Sequence, residues 1–414
     1  MKTIPGFLNL EMKKVFLFLL LFTSYFYSYS QNTWISKANL GGLARHGAIG
    51  FSIGTKGYLG TGFAANFIAQ NDLWEWDQPT NVWTQKANVP GTARGYAAGF
   101  SIGTKGYIGT GYDSTGIGVT NDFYEYDPTL NTWTQKANFA GPPRDAPVSF
   151  SIGNKGYIGT GDDSGSPVTY FNDFWEYDPS IDTWEQKTNL PSSPRSNAVG
   201  FSIGTKGYIG TGSNGANFGH DFYEWDQATD TWTQKANYTG GARWCAAGFS
   251  IGSKGYIGTG ADSIQNIHSD FREYDPTTNS WTQRAVVLGG PKWSAVGFSI
   301  GNKGYIGTGA NPNFSSLTVS FYEYTPFPAG IEEHDEMTTN IYPNPFTSST
   351  TFELNKELKN AQLKLFDVLG KEVRSIYFSA NKISLEREKL ESGIYFYQIS
   401  LENKIVSSGK LMAE

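Results

Sequence analysis

The sequence has a single cysteine, few charged residues and, beyond its first residues, no apolar run long enough to cross a membrane. One cysteine, Cys245, excludes an intrachain disulfide, so a buried core must hold the fold. Only 17% of the residues are charged and the formal net charge is −6 with no basic stripe, which argues against a nucleic-acid partner. Glycine and aromatic residues are abundant instead, and they favour many short strands joined by tight turns.

Tryptophan and glycine almost disappear from the C-terminal part of the chain. All twelve Trp lie between Trp34 and Trp293, and only Gly370, Gly393 and Gly409 lie beyond Gly330. We therefore predict two domains, at 31–326 and 338–414, joined by an acidic, proline-containing linker at 327–337.

Residues 1–30 are predicted to be a secretory signal peptide whose true start is Met12. Lys13 and Lys14 form a positive region, Val15–Phe22 an apolar run, and a stretch of small residues ends near Ser30. The apolar run is too short to span a bilayer, so we prefer a cleaved signal to a membrane anchor.

The stretch "SIGTKGYIGTG" at 101–111 has near copies throughout the first domain. The copies are spaced by 48 to 51 residues at their lysines, which are Lys56, Lys105, Lys155, Lys206, Lys254 and Lys303. A period near 50 residues is typical of β-propellers, and each period contains four strand patterns. The sequence therefore predicts an all-β protein: a six-bladed β-propeller followed by a small Ig-like β-sandwich.

The last repeat lacks the Trp-containing fourth strand that the others have. The segment "NTWISK" at 32–37 has this pattern at the start of the domain. We predict that it supplies the outer strand of the last blade and closes the ring, which removes an open sheet edge.

Four features of the repeats together resemble kelch repeats: an Arg before the first strand, a glycine-ended second strand, Tyr-Asp after the third and Trp in the fourth. The resemblance covers about residues 32–326, although the family's Gly-Gly doublet is here Gly-Thr-Gly, as at 109–111. It implies a kelch-type propeller. The superfamily includes copper oxidases similar to galactose oxidase, but their Cys-Tyr pattern is not matched around Cys245. It also includes sialic acid mutarotases, which need a few acid/base groups, and Asp145 and His46 could serve as such groups here.

The C-terminal domain resembles the type A sorting domain of type IX secretion substrates. The matching segments are "PNP" at 343–345, "DVLG" at 367–370, "GIY" at 393–395 and "GKL" at 409–411. The resemblance implies that residues 338–414 engage the type IX machinery after passage through the periplasm. The protein would then be extracellular or on the outer-membrane surface, with membrane contact only through attachment after export.

Features present in all six repeats are predicted to be structural. They include a glutamate in every third strand: Glu75, Glu125, Glu176, Glu224, Glu273 and Glu323. We expect a repeated hydrogen bond or salt bridge here, with the repeated lysine as a candidate partner, rather than a ring of metal ligands.

A ligand site should lie where the repeats differ. The loops between the second and third strands differ strongly, as do the residues that follow a basic position between blades, and both are expected on one face. The candidate ligand-binding residues at this channel mouth are Arg45, His46, Arg94, Tyr96, Arg144, Asp145, Arg195, Asn197, Arg243, Trp244, Lys292 and Trp293. The alternative is that the basic residues only tie neighbouring loops together.

These side chains suit a glycan or a protein ligand, because rings stack and polar groups hydrogen-bond. His46, His220 and His268 belong to blades one, four and five, so no metal site is predicted. No catalytic residue or cofactor is assigned. The predicted function is a recognition module, and the alternative is a carbohydrate-active enzyme similar to sialic acid mutarotases or, less closely, galactose oxidase.

Overall fold

The computed structural model describes residues 32–113, 115–116, 118–311, 316–326, 339–401 and 404–414. They divide into two compact units, one containing residues up to 326 and one containing residues from 339. The predicted signal peptide at 1–30 and the linker at 327–337 lie outside the described residues.

The first unit is a β-propeller of six four-stranded antiparallel sheets. The inner strand of each blade contacts the inner strand of the next, and the contacts close from blade six to blade one. The inner strands are Ile49–Ile53, Ala98–Ile102, Val148–Ile152, Val199–Ile203, Ala247–Ile251 and Val296–Ile300. The second strands are Lys56–Gly60, Lys105–Gly109, Lys155–Gly159, Lys206–Gly210, Lys254–Gly258 and Lys303–Gly307. The third strands are Leu73–Asp77, Phe123–Asp127, Phe174–Asp178, Phe222–Asp226, Phe271–Asp275 and Phe321–Thr325. The outer strands of blades one to five are Val82–Lys86, Thr132–Gln135, Thr183–Lys187, Thr231–Gln234 and Ser280–Arg284.

The outer strand of blade six comes from the start of the domain. Thr33–Ser36 pairs antiparallel with Phe321–Thr325 and places Trp34 opposite Tyr324. Trp34 is 9% exposed, and its Nε1–H donates a hydrogen bond to the carbonyl of Ala285 at 3.0 Å. The predicted closure of the ring is therefore confirmed.

Neighbouring blades pack through aromatic rings that need glycine opposite them. A Cβ added to Gly106 would come within 2.5 Å of the Phe51 ring of the preceding blade. The next residue, Tyr107, stacks on Phe100 of its own blade with ring centres 5.7 Å apart. The repeated "KGY" pattern thus combines close approach of one blade with a buried ring in the next.

The repeated glutamates are structural, as expected. Each accepts a hydrogen bond of 2.5 to 2.8 Å from the tyrosine of the second strand, such as Tyr107 to Glu125. The expected lysine partner needs a correction. The repeated lysine pairs mainly with an aspartate that ends the third strand, such as Lys56 with Asp77 at 2.7 Å, because the two residues lie directly opposite each other in the ladder between the second and third strands.

The second unit is a β domain made of one five-stranded antiparallel sheet. Its strands are Thr339–Tyr342, Ser349–Phe366, Glu372–Glu386, Gly393–Leu401 and Lys404–Ala413. The long second strand pairs with the first, third and fourth, and its ladder to the third strand has irregularities near Leu358 that bend such ladders. Both halves of this strand contribute to one buried core, which includes Phe352 and Leu363.

Candidate functional site

One face of the propeller combines the long loops with the connections between blades; we call it the loop face. The residue after each basic position forms a backbone bridge with the loop of the same blade. The pairs are His46–Phe63, Gly95–Tyr112, Asp145–Asp162, Ser196–Ser213, Trp244–Ala261 and Trp293–Ala310. The opposite face, called here the hairpin face, carries the short turns that hold the repeated lysines. The variable positions therefore lie together on one face of a rigid scaffold.

A closed ring of backbone hydrogen bonds, the axial ring, surrounds the propeller axis on the loop face. Its members are Gly47, Tyr96, Ala146, Asn197, Cys245 and Ser294. Each N–H donates to the carbonyl of the member in the preceding blade at 2.8 to 3.0 Å, and Gly47 donates to Ser294. All six have φ between 48° and 60°, a region that is strained for residues other than glycine. Strain of this kind concentrates at functional sites, where the surrounding structure enforces it.

The axial ring lines a cavity of about 150 Å³. The remaining lining residues are small: Ala48, Ala97, Pro147, Ala198, Ala246 and Ala295. The polar side chains of the ring hydrogen-bond to one another: Cys245 Sγ–H donates to Asn197 Oδ1 at 3.0 Å, and the Tyr96 hydroxyl lies 3.3 Å from Ser294 Oγ. The cavity is thus lined by small side chains and by the polar groups of the axial ring.

The five repeated arginines are held inside the blades. Arg45, Arg94, Arg144, Arg195 and Arg243 are 0 to 4% exposed. Two N–H groups of each guanidinium bind one aspartate of the same blade. A third contact goes to a threonine carbonyl, such as Arg144 to Thr160 at 2.7 Å. The placement of these arginines favours the alternative role of tying loops together, although Arg195 also lines a cavity of about 220 Å³ in blade four.

Sequence reasoning missed the aspartate partners, which are Asp72, Asp122, Asp173, Asp221 and Asp270. Each stands directly before a third strand, so a search for repeated positions would have found five of the six blades. Blade six has Ser320 in this place and Lys292 in place of the arginine. Lys292 is 2% exposed, its Nζ lies 3.4 Å from the carbonyl of Gly289, and burial lowers its pKa. Lys292 is thus also a buried framework residue.

The aromatic side chains predicted for the site come together in an arc across several blades. The aromatic arc consists of Phe218, Trp244, Trp293, His46 and Tyr96. Successive ring centres are 6.3, 5.6, 5.6 and 5.7 Å apart, and His46 is stacked on Trp293. Four residues predicted from the sequence therefore lie in one site, and Phe218 was missed because it belongs to a loop.

Two members of the arc have unusual polar groups. His46 is 2% exposed and its Nδ1 lies 3.0 Å from the Tyr96 hydroxyl. Burial lowers the pKa of His46 to about 4, so this imidazole is neutral at neutral pH. Trp244 is partly exposed, but its Nε1–H is buried and has no hydrogen-bond partner among the described residues. An unsatisfied buried donor is uncommon in native proteins and points to an acceptor that the described chain does not supply.

Blade three supplies acidic groups instead of rings. Asp145 is 9% exposed, and burial followed by the charge of Asp162 raises its pKa to about 8. Asn197 of blade four lies beside Cys245 in the axial ring. Asp145 and Asn197 thus continue the site beyond the aromatic arc.

The other two propeller histidines are not members of the arc. His220 is exposed and lines a second cavity of about 220 Å³ in blade four, together with Phe218. His268 lies 3.3 Å from Asp262 in blade five. In the part of the chain that the structure describes, no three His, Cys, Asp or Glu side chains form a group able to hold a metal ion.

Comparison with known proteins supports the fold and the route of export. The structure resembles one titled "Structure of YjhT", with a TM-score of 0.60 and 16% identity over 69% of this chain and 95% of that chain. At this identity the likeness shows the fold alone, a β-propeller. No curated protein matches the chain.

The C-terminal unit has a family match of its own. Residues 340–414 match the family model described as "Secretion system C-terminal sorting domain". This type IX sorting domain indicates export to the cell surface or the extracellular space. None of the helices among the described residues is long and apolar enough to cross a membrane.

Proposed function

We propose that the propeller is a recognition module that binds a glycan or a protein at its loop face outside the cell. The observation that carries the proposal is the aromatic arc, together with the unpartnered Nε1–H of Trp244 within it. Ring faces bind apolar surfaces of a ligand, and the indole N–H fixes a carbonyl or hydroxyl oxygen.

The loops around the arc also present exposed apolar side chains. Phe67 and Ile68 of blade one are 60% and 59% exposed, and Ile264 of blade five is 76% exposed. Exposed apolar side chains around polar groups are typical of an interaction surface, and these loops are mounted on a closed, rigid ring.

The test is an array of glycans and of extracellular proteins and peptides, screened with the purified protein. We expect a ligand that is retained by the wild type and by Lys105→Ala on the hairpin face and lost by Trp244→Ala. If Lys105→Ala abolishes binding and Trp244→Ala does not, the site lies on the hairpin face and the proposal is wrong.

We further propose that residues 1–30 are the signal peptide, that the linker is 327–337 and that residues 338–414 direct passage through the outer membrane. Deleting 338–414 should leave the propeller in the periplasm, measured by fractionation of the producing cells. Release of the truncated protein into the medium would contradict this division of the chain.

A second candidate is an enzyme that transfers protons on a bound sugar. The observation that favours it is the raised pKa of Asp145, which keeps this buried carboxyl protonated at neutral pH as a general acid requires. The test is mutarotation of sialic acid followed by NMR, which Asp145→Asn should abolish.

A further inference from the structure

Blade three places two carboxylates side by side on the loop face. Asp145 and Asp162 exchange both backbone hydrogen bonds, at 2.9 and 3.1 Å. Side chains of residues that are directly opposed in such a ladder stand on the same side of it. None of the five equivalent pairs in the other blades contains an acidic residue. The acidic pair is thus an individual feature of one blade rather than part of the repeated framework.

The described chain offers no cation to this pair. Arg144 is adjacent in sequence, but it is fully buried and its N–H groups bind Asp173 and the carbonyls of Thr160 and Pro142. No ion pair to Asp145 or Asp162 forms among the described residues. A pair of carboxylates without a counter-ion is costly unless a ligand or a proton neutralises it.

Asp145 also has an unused acceptor. It is 9% exposed, and its Oδ1 is buried without a hydrogen-bond partner in the described part of the chain. Buried carboxylate oxygens normally accept hydrogen bonds. This oxygen therefore points to a missing donor.

The pair belongs to the surroundings of the axial cavity. Burial, and in addition the negative charge of Asp145, raise the pKa of Tyr96 in blade two and of Cys245 in blade five. Tyr170 in the loop of blade three has its pKa raised by burial and by Asp162 and Asp145. The groups that face the pair from three blades are therefore neutral at neutral pH and do not compete with an added cation.

We propose that Asp145 and Asp162 form an anionic subsite for a protonated primary amine, supplied by a lysine side chain of a peptide bound at the loop face. The proposal rests on the proposed recognition function and names the chemistry of its ligand. An ammonium group has three donors and suits two carboxylates, whereas a metal ion needs further ligands that the site does not offer.

The depth of the site favours lysine over an amino sugar. The carboxylate of Asp145 is recessed, and a lysine carries its ammonium on a flexible four-carbon stem that can reach it and be buried along apolar surface. An amine attached directly to a sugar ring lacks this reach.

Binding exchanges a proton for the ammonium group. In the free protein the carboxyl group of Asp145 keeps its proton up to about pH 8 and shares it with Asp162 in a hydrogen bond. When the ammonium binds, this proton leaves to solvent and both carboxylates accept N–H bonds. The affinity for the amine therefore rises with pH until Asp145 ionises in the free protein.

The experiment is calorimetry of the purified protein with an acetylated, amidated Gly-Ala-Lys-Ala-Gly peptide and its norleucine analogue. We expect the lysine peptide to bind at least about tenfold more tightly, the order of one charge-assisted contact. At pH 7 it should release close to one proton, measured in two buffers of different ionisation enthalpy. Equal affinity for the two peptides, no detectable binding of the lysine peptide, or tighter binding of a glucosamine oligomer would overturn the proposal.

Two isosteric variants assign the effect. Asp145→Asn should remove the preference for lysine and the proton release. Asp262→Asn, which removes the same charge from the same face in blade five, should keep both. At pH 8 the Asp145→Asn variant should unfold at no lower temperature than the wild type, because the substitution removes repulsion within the pair. If this variant does not fold, Asp162→Asn, at the more exposed partner, is used in its place. A preference for lysine that survives in both blade-three variants overturns the subsite.

The outcome is distinguishable from failure of the recognition function. If both peptides bind with equal affinity and Trp244→Ala abolishes the binding of both, the recognition function is supported and the amine subsite is contradicted. If a glycan alone binds and depends on Trp244, the same conclusion holds.

Discussion

The two faces of the propeller are built on the same strands but use their residues differently. On the hairpin face, each blade has the same short turn and the same pair of lysine and aspartate, except that Lys303 of blade six binds Thr325. On the loop face, the positions that meet the axis are occupied by residues as different as His46, Asp145 and Trp244.

Repetition therefore distinguishes, within a single sequence, the residues that stabilise every blade from the residues that can form a ligand site. A residue needed by every blade, such as Tyr107, solves a packing problem that recurs six times, and the problem that Arg94 solves recurs five times. A residue present once, such as Asp145, solves no recurring problem, and its buried pair of carboxylates costs stability. Such costs are usually retained where they serve binding or catalysis.

The most severe test of the framework removes its closing strand. Deleting residues 32–37 takes away Trp34 and the ladder to Phe321–Thr325, so we expect a loss of about 5 kcal/mol in the free energy of unfolding. Urea unfolding measures it, and Trp34→Phe, which keeps the strand, is the control. An unchanged unfolding midpoint after the deletion would show that the ring does not depend on this strand.

The arginines test whether the loop face contains framework as well as site. Arg94→Ala leaves Asp122 without its buried partner, so we expect a loss of about 3 kcal/mol in stability. The double variant Arg94→Ala with Asp122→Ala should recover part of that loss, since no uncompensated carboxylate remains. If Arg94→Ala instead leaves the melting temperature unchanged and weakens ligand binding, the arginines belong to the ligand site.

Trp244 is the sharpest probe of the individual positions. Trp244→Ala should weaken ligand binding by about 2 kcal/mol, roughly thirtyfold, as expected for a ring that anchors a ligand. The melting temperature should change less than in Trp293→Ala, because Trp293 is 4% exposed and packs in a buried cluster. If Trp244→Ala weakens binding only because the protein unfolds, then Trp244 belongs to the framework and not to the ligand site.

Blade six offers a gain of stability rather than a loss. Lys292→Arg with Ser320→Asp would copy the pair of the other five blades into a place where the lysine is buried without a carboxylate. We expect a gain of about 1 kcal/mol in stability, the order of one charge-assisted hydrogen bond. Lys292→Arg alone should not stabilise the protein, because its guanidinium would lack a partner. A double variant no more stable than the wild type would show that blade six is not simply an incomplete copy.

The blades and the closing strand could be predicted because both leave a local pattern in the sequence. The spacing of Lys56 and its five equivalents gives the period, and the lone Trp34 strand shows what the last blade lacks. The axial ring was not predictable, because its hydrogen bonds join residues about 50 positions apart through the backbone. The burial of Arg94 also follows from a partner, Asp122, that only the fold brings next to it.

The smallest expected effect belongs to the hairpin face. Lys105 binds Asp127 on the surface, and this hydrogen bond is the first cause that lowers the pKa of Asp127. A carboxyl group with a lowered pKa contributes stability above its unfolded pKa, and the contribution is lost as the pH falls through the folded pKa. Lys105→Ala should therefore lower the melting temperature only slightly at pH 7 and not at all in acid, and it should leave ligand binding unchanged. Differential scanning calorimetry at both pH values checks this, with Lys206→Ala as the equivalent change in blade four. If the two lysines behave differently, the hairpin face is not the uniform surface that its sequence predicts.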